Sequence, residues 1–392
     1  MRPAFNGRTW IVFAAAMAVY VVSSGFAHPT AYNNYVLLAD ALLHGRVWIY
    51  QPSPAIDALN YLGRYYVIEA PVPAVLMLPL VAIFGADANQ TIVAVICAAV
   101  TIAALDVTLG RMEVDETVRR WIVVFAALGT VIWWCASFPA VWMFAHIAGA
   151  MFLMLAIAEW YGHRRPWLIG LLLACAALSR FPTILAALPF ACWLWLESPK
   201  PQRPRRLAEL VAGALPLFLL YAAYNYARWQ TFADVGYTMW YHQDQVGQPT
   251  GSPFRLEYLP FNLYSFFVLG PQYQPTFPWL HPTGLGVSLT LTSPALLLAF
   301  GAPARARETI VMWAATVLVA VPSLLYYVNG FEQFGMRHAL DFLPPLFVLC
   351  ARGIDRFPRA AAYALVTYSV AANAYGEWYS WAFNGFTVVP RQ

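Results

Sequence analysis

The chain has 392 residues, of which 61% are hydrophobic and 11% are charged, and its formal net charge is +4. Soluble domains carry about a quarter charged residues, so this composition excludes a soluble globular protein and predicts that lipid surrounds most of the chain. The basic residues are scattered through short segments and are not interleaved with aromatic residues, which gives no support to a nucleic-acid partner.

Long apolar segments recur along the chain and are separated by short polar connections. Because a backbone in lipid must satisfy its hydrogen bonds within the protein, each segment predicts a helix. The predicted fold class is an all-α polytopic membrane protein with about 11 transmembrane helices. The candidate spans are 9–27, 88–109, 121–138, 141–161, 166–179, 182–197, 207–227, 287–302, 308–328, 339–353 and 359–377.

Arginine clusters occupy alternate connections between these segments. The positive-inside rule places the clusters, together with Arg2 and Arg8, on the cytoplasmic side. We therefore expect a cytoplasmic N-terminus, a C-terminus outside, and a location in the bacterial inner membrane. The clusters are Arg111/Arg119/Arg120, His163/Arg164/Arg165, Lys200/Arg203/Arg205/Arg206, Arg305/Arg307 and Arg352/Arg356/Arg359.

The stretch Ala70 to Phe84 is also apolar, but counting it as a crossing would place every later arginine cluster outside. It is short and contains Pro71, Pro73 and Pro79. We predict a juxtamembrane or re-entrant helix on the outer face, where surrounding protein must satisfy its backbone.

The predicted organisation is one transmembrane domain over residues 1–392 with two long outer loops, 28–87 and 228–286. Both loops are rich in Tyr, Trp, Pro and Gly, a composition that indicates interfacial structure. We expect the function where these loops meet the membrane.

Three acids of the first outer loop are candidates for a general base. Asp40 lies among leucines, which indicates either the solvated face of a surface helix or a base whose pKa is raised. Asp57 lies further along the loop, and Glu69 lies next to the turn that begins at Pro71. The sequence alone leaves the choice among these acids open.

Three motifs stand out in chain order. The first is Glu69-Ala70-Pro71-Val72-Pro73-Ala74, which runs on to Ile83-Phe84-Gly85. The second runs from Gly170 to Leu178-Ser179-Arg180-Phe181-Pro182. The third is Phe334-Gly335-Met336-Arg337-His338-Ala339-Leu340-Asp341-Phe342-Leu343-Pro344. Together they resemble the GT-C superfamily of membrane glycosyltransferases, in particular its family-39 branch of protein mannosyltransferases and aminoarabinose transferases, and the resemblance covers most of the chain.

One position departs from the family pattern. The acid that the family carries soon after its first helix falls on Asn33-Asn34 here. An amide cannot act as a general base, so the resemblance implies that Asp40 or Glu69 has that catalytic role.

The resemblance also implies a polyprenyl-phosphate sugar donor, inversion of the anomeric centre, and arginines that bind the departing phosphate. His338 is a further donor in this reading, while Trp240 and Tyr241 form either a sugar-stacking surface or an aromatic belt. The predicted substrate-binding residues are Arg337, Arg180, His338, Asn33, Asn34, Arg64, Trp240 and Tyr241.

The predicted partners are membrane lipid, the lipid-linked sugar, and an acceptor that is a glycan, a lipid or a protein. The five cysteines show no metal-binding spacing, no metal site is predicted, and the need for a divalent cation stays open. The alternatives are a polymerase or ligase of surface polysaccharide, a transporter, and a transferase that has lost its activity.

Overall fold

The computed structural model describes residues 7–52, 57–244, 251–330 and 332–383. The α-helices are α1 Gly7–Ser23, α2 Asn34–Leu43, α3 Val72–Phe84, α4 Gln90–Arg111, α5 Glu116–Leu128, α6 Val131–Ser137, α7 Val141–Trp160, α8 Pro166–Ala177, α9 Ala187–Glu197, α10 Arg203–Trp229, α11 Gly236–Asp244, α12 Leu259–Phe267, α13 Leu289–Thr292, α14 Arg307–Leu325, α15 Leu343–Gly353 and α16 Arg359–Ala382. The 3₁₀ helices are Gly85–Asp87, Phe181–Ala186, Lys200–Gln202, Leu256–Tyr258, Pro294–Gly301, Arg337–Asp341 and Ile354–Arg356.

Each apolar segment predicted as a span coincides with helical structure. By length and composition, four helices of the described residues can cross a membrane: α4, α7, α14 and the segment Lys200–Trp229 that contains α10. The consecutive helices α5 and α6 add a fifth candidate, with a bend of 45° between them. Five further apolar helices of the described residues have 10–17 residues, and the count of about 11 spans stays a prediction.

The helices α8 and α10 pack closely against each other where they cross. A Cβ atom added at Gly170 would lie 1.9 Å from the carbonyl oxygen of Leu210, and one added at Gly213 would lie 1.8 Å from that of Trp167. Small residues on both helices therefore let the two backbones touch, as is common between membrane helices.

Ion pairs join the helices at one end of the bundle, which we call the arginine-rich end. Arg8 of α1 and Arg119 of α5 both bind Asp106 of α4, at 3.0 Å and 2.6 Å. Further pairs there are Arg164–Glu197, Arg165–Glu159 and Arg352–Glu308. Arginines of several predicted basic clusters thus form ion pairs with acidic residues of neighbouring helices. The side of the membrane that these clusters face stays a prediction.

The two long loops contact each other at the opposite end. Arg228 donates a hydrogen bond to the carbonyl oxygen of Val67 at 3.0 Å, and Leu59, Tyr66 and Trp229 belong to one buried cluster. The prediction that the loops share one side is consistent with this packing.

The first loop contains α2 and α3, so the apolar stretch predicted as a juxtamembrane helix is helical from Val72 to Phe84. The predicted all-α fold class is confirmed, and each loop also holds a short antiparallel hairpin. The strands are β1 Ala58–Tyr61 and β2 Arg64–Val67 in the first loop, and β3 Gln272–Tyr273 and β4 Leu280–His281 in the second.

Candidate functional site

A cavity of about 740 Å³ lies where both loops meet the ends of several helices. Its wall combines carboxylates, guanidinium groups, imidazoles and aromatic rings. Its polar and aromatic residues include Asp57, Glu69, Asp234, Asp244, Glu332, Arg180, Arg337, His146, His338, Tyr32, Trp142, Tyr237, Trp240, Tyr326 and Tyr327.

Glu69 lies between β2 and α3, where the chain turns back toward the helices. The amide of Val72 donates to the carbonyl oxygen of Leu178 at 3.0 Å, which holds the start of α3 next to the segment that carries Arg180. Glu69 is 4% exposed, and neither carboxylate oxygen has a hydrogen-bond partner among the residues that the structure describes. Burial, together with the negative charge of Asp57, raises the pKa of Glu69 well above its usual range.

Asp57 is held by the aromatic wall of the same cavity. The indole N–H of Trp142 donates to its carboxylate, and Trp142 lies at the start of α7, which is tied to the first loop by a 2.9 Å bond from the Val141 amide to the Tyr32 carbonyl oxygen. Burial raises the pKa of Asp57, while the bond from Trp142 and the charge of Arg337 act in the opposite direction. Two carboxyl groups thus share one desolvated space.

Arg180 and Arg337 bring positive charge into the cavity from two helix ends. Arg180 follows α8 and donates to both carboxylate oxygens of Asp341, at 3.2 to 3.3 Å. Arg337 opens the 3₁₀ helix Arg337–Asp341 and lies over the ring of Trp142, with 5.5 Å between the guanidinium carbon and the ring centroid. Planar guanidinium groups suit the recognition of phosphate oxygens.

His146 joins this cluster from α7, although sequence reasoning did not select it. Its Nδ1 lies 2.7 Å from an oxygen of the fully buried Asp341, and its ring centroid lies 5.1 Å from that of His338. A single histidine inside an apolar helix, at Trp142-Met143-Phe144-Ala145-His146, was the signal that could have indicated it.

Asp40 lies outside the large cavity, so the structure does not support its predicted role as general base. It pairs with Arg46 at 3.3 Å and borders a separate cavity of about 290 Å³. Asn33 and Asn34 border the same smaller cavity.

Two other predicted binding residues lie away from the cavity wall. Arg64 is exposed on the β1–β2 hairpin, with its guanidinium carbon 5.1 Å from the ring centroid of Trp48. Tyr241 is 1% exposed and shares a 3.1 Å hydrogen bond with the hydroxyl of Tyr258, so its ring is packed inside the second loop and is not a free stacking surface. Trp240 does line the cavity.

In the part of the chain that the structure describes, no three His, Cys, Asp or Glu side chains come together as a metal site. The cavity wall offers carboxylates and imidazoles as acid–base groups and guanidinium groups that can bind an anion. Such a combination can take a proton from a hydroxyl group and stabilise a departing phosphate within one space.

The chain matches no protein-family model and no curated protein. Among solved structures it resembles ArnT from Cupriavidus metallidurans bound to undecaprenyl phosphate, with 13% identity, a TM-score of 0.51, and coverage of 92% of this chain and 62% of that one. The apo state of the same protein gives 12% identity, a TM-score of 0.52 and the same coverage.

The chain shares the fold of these ArnT structures. At this level of identity the likeness establishes the fold alone, and the chain spans about three fifths of the length of the ArnT structures, at 62%. The Saccharomyces cerevisiae protein O-mannosyltransferase Pmt1-Pmt2 complex bound to the sugar donor matches at a TM-score of 0.39, which is too low to support an argument.

Proposed function

We propose that this protein is a membrane glycosyltransferase that moves a sugar from a polyprenyl-phosphate donor to a hydroxyl group of an acceptor. The observation that carries the proposal is that one cavity joins the buried carboxylate of Glu69, whose oxygens have no described partner, to Arg180 and Arg337. A buried charge without a protein partner destabilises the fold. A ligand that forms a hydrogen bond with Glu69 would explain why a carboxylate lies at this position.

The GT-C fold supports this proposal because a solved structure of that fold, ArnT, is bound to undecaprenyl phosphate. In the cavity of the present chain, Arg180 and Arg337 supply positive charge for such a head group. We place the cavity at the outer face of a bacterial inner membrane, following the arginine clusters at the other end of the bundle.

In the proposed reaction, the acceptor oxygen attacks the anomeric carbon from the face opposite the phosphate. The bond between the anomeric carbon and the phosphate oxygen breaks, its electron pair stays on that oxygen, and the configuration inverts. Arg180 and Arg337 stabilise the second negative charge that develops on the polyprenyl phosphate. The proton of the acceptor hydroxyl passes to a carboxylate.

Glu69 is the carboxylate that suits this proton transfer best. Asp57 already accepts a hydrogen bond from Trp142, whereas both oxygens of Glu69 are without a partner among the described residues. Burial and the charge of Asp57 raise the pKa of Glu69, which makes its ionised form a stronger base. Asp57 contributes by placing a second negative charge beside it.

The side of the cavity that faces the membrane can accommodate a hydrocarbon chain. Phe181 and Pro182 of one 3₁₀ helix and Pro322 of α14 line the cavity, while Ile184 and Val321 on the same two elements are exposed. An apolar tail that leaves the cavity between these elements stays in lipid while its phosphate stays inside.

The test is turnover of undecaprenyl-phosphate esters of glucose, mannose and arabinose by the purified full chain. Water and a panel of hydroxyl acceptors are supplied, and release of undecaprenyl phosphate is followed by mass spectrometry. We expect release with at least one ester, and transfer to an acceptor with inverted configuration. Binding of undecaprenyl phosphate outside the cavity, with no release from any ester, would contradict the proposal.

A further inference from the structure

One ring nitrogen of His146 forms a hydrogen bond, and the other has no partner among the described residues. Its Nδ1 lies 2.7 Å from Oδ1 of Asp341, and both side chains are fully buried. Its Nε2 is buried and has no hydrogen-bond partner among the residues that the structure describes. His146 also lines the large cavity, so its ring borders the space that a ligand would occupy.

The partners of Asp341 decide which nitrogen carries the proton. Arg180 donates to both oxygens of Asp341, and a carboxylate held by a guanidinium group in this way is an acceptor for both neighbours. His146 therefore donates Nδ1–H to Asp341, and its neutral imidazole has a lone pair at Nε2. This lone pair can accept a hydrogen bond from a donor group of a ligand.

Ligand groups differ in whether they can donate a hydrogen bond to that lone pair. An ionised phosphate only accepts hydrogen bonds and belongs with Arg180 and Arg337, whereas a sugar hydroxyl can donate. The sugar lies next to the phosphate in any polyprenyl-phosphate ester, and His146 lies next to Arg180 through their common partner Asp341. The geometry thus brings a hydrogen-bond acceptor to the place where the first hydroxyl groups of the transferred sugar lie.

We propose that His146 recognises the transferred sugar, by accepting at Nε2 a hydrogen bond from a sugar hydroxyl close to the anomeric carbon. This inference rests on the proposed function and adds to it a residue that distinguishes the glycosylated donor from the spent polyprenyl phosphate. A site that must bind the donor and release the product benefits from a contact that only the donor makes.

The experiment compares binding of two kinds of lipid to the full chain in detergent by native mass spectrometry. The first is undecaprenyl phosphate, and the second is its ester with glucose, mannose or arabinose, whichever binds the wild type most tightly. In H146N the amide nitrogen retains the bond to Asp341 while the acceptor at the Nε2 position is lost. In H146Q the terminal amide reaches the Nε2 position and supplies an acceptor oxygen.

We expect H146N to bind the sugar ester roughly tenfold more weakly and undecaprenyl phosphate as tightly as the wild type. H146Q should retain most of the preference for the ester. The matched control is H281N, because His281 is a buried histidine with Nδ1 bound to the Tyr379 hydroxyl at 2.9 Å, lies outside the cavity, and also has no described partner at Nε2. It should leave both affinities unchanged.

Three outcomes would overturn the inference while leaving the proposed function in place. The first is an equal loss of affinity for both lipids in H146N, which indicates that His146 contacts the phosphate. The second is no loss of affinity for either lipid in H146N. The third is a wild type that binds none of the esters more tightly than undecaprenyl phosphate. If the wild type binds none of the four lipids, the proposed function fails and the inference fails with it. Thermal unfolding confirms that each variant is folded.

Discussion

Two buried carboxylates at opposite ends of the helix bundle have opposite surroundings. At the arginine-rich end, Asp106 is fully buried and each of its oxygens is bound, by Arg8, Arg119 and the hydroxyl of Thr9. At the cavity end, Glu69 is buried to a similar degree, yet neither of its oxygens has a described partner.

This difference separates charge that serves the fold from charge that serves a ligand. Burying an ion is repaid only when good geometry and further hydrogen bonds satisfy it, as around Asp106. A carboxylate without such partners destabilises the protein. The comparison therefore predicts that neutralising Glu69 and neutralising Asp106 change stability in opposite directions.

The largest effect is expected for Glu69→Gln, which should reduce sugar transfer by roughly 10²–10⁴-fold because the general base is lost. The variant should also be more stable than the wild type near neutral pH. The folded-state pKa of Glu69 is raised above its unfolded value, so ionisation destabilises the folded protein as the pH rises from about 4 toward that pKa. Transfer assays and thermal unfolding at several pH values measure both effects.

The matched control is Asp40→Asn, which removes a carboxylate of the same loop outside the large cavity. It should leave transfer within a factor of about three. Two results would contradict the comparison. One is full transfer activity in Glu69→Gln, and the other is a Glu69→Gln variant that becomes less stable than the wild type as the pH rises.

Asp106→Asn should have the next largest effect and should lower stability. It leaves Arg119, whose side chain is 12% exposed, with a neutral partner in place of a charged one. Removing one member of a buried ion pair costs about 3 kcal/mol or more. Thermal unfolding in detergent measures the loss, while transfer well below the unfolding temperature should be unchanged. An Asp106→Asn protein as stable as the wild type would show that this end does not depend on its paired charge.

Arg337→Ala should weaken binding of undecaprenyl phosphate by roughly 10- to 100-fold, because a charge-assisted contact to phosphate is worth about 1.5–3 kcal/mol. Native mass spectrometry of the lipid complex measures the change. Arg64→Ala is the control, since Arg64 is exposed on the β1–β2 hairpin away from the cavity. Equal affinities of the wild type and Arg337→Ala would remove Arg337 from the phosphate site.

The smallest effect is expected for Glu308→Gln at the arginine-rich end. Glu308 binds Arg352, and the two side chains are 27% and 26% exposed, so solvent screens the pair. The loss of stability should be at most about 1 kcal/mol, well below that of Asp106→Asn. Thermal unfolding of both variants under one condition checks this order, and an equal loss in the two would show that burial does not set the value of these pairs.

The sequence predicted the features that depend on apolar length and on the position of arginine. The helical segments, the helix from Val72 to Phe84 and the presence of Glu69, Arg180 and Arg337 in the candidate site all follow from such local patterns. The hairpins were missed because strands of two to four residues leave no clear alternation of polar and apolar side chains.

The remaining differences between the expected and the observed site concern which side chains lie in the same cavity. Asp40 and Glu69 belong to the same loop, but α2 turns Asp40 toward Arg46, and no sequence pattern shows that turn. His146 and Asp341 are 195 positions apart and meet only because α7 packs against the 3₁₀ helix Arg337–Asp341. Contacts between distant segments of this kind depend on tertiary packing.

The central claim is that the large cavity binds the phosphate of a polyprenyl lipid beside Glu69, and the position of that phosphate tests it most directly. A structure of the full chain with bound undecaprenyl phosphate, determined by electron cryomicroscopy, should show a phosphate oxygen within about 3 Å of a guanidinium nitrogen of Arg180 or Arg337. A head group bound at the smaller cavity beside Arg46, with the large cavity free of lipid, would contradict the claim.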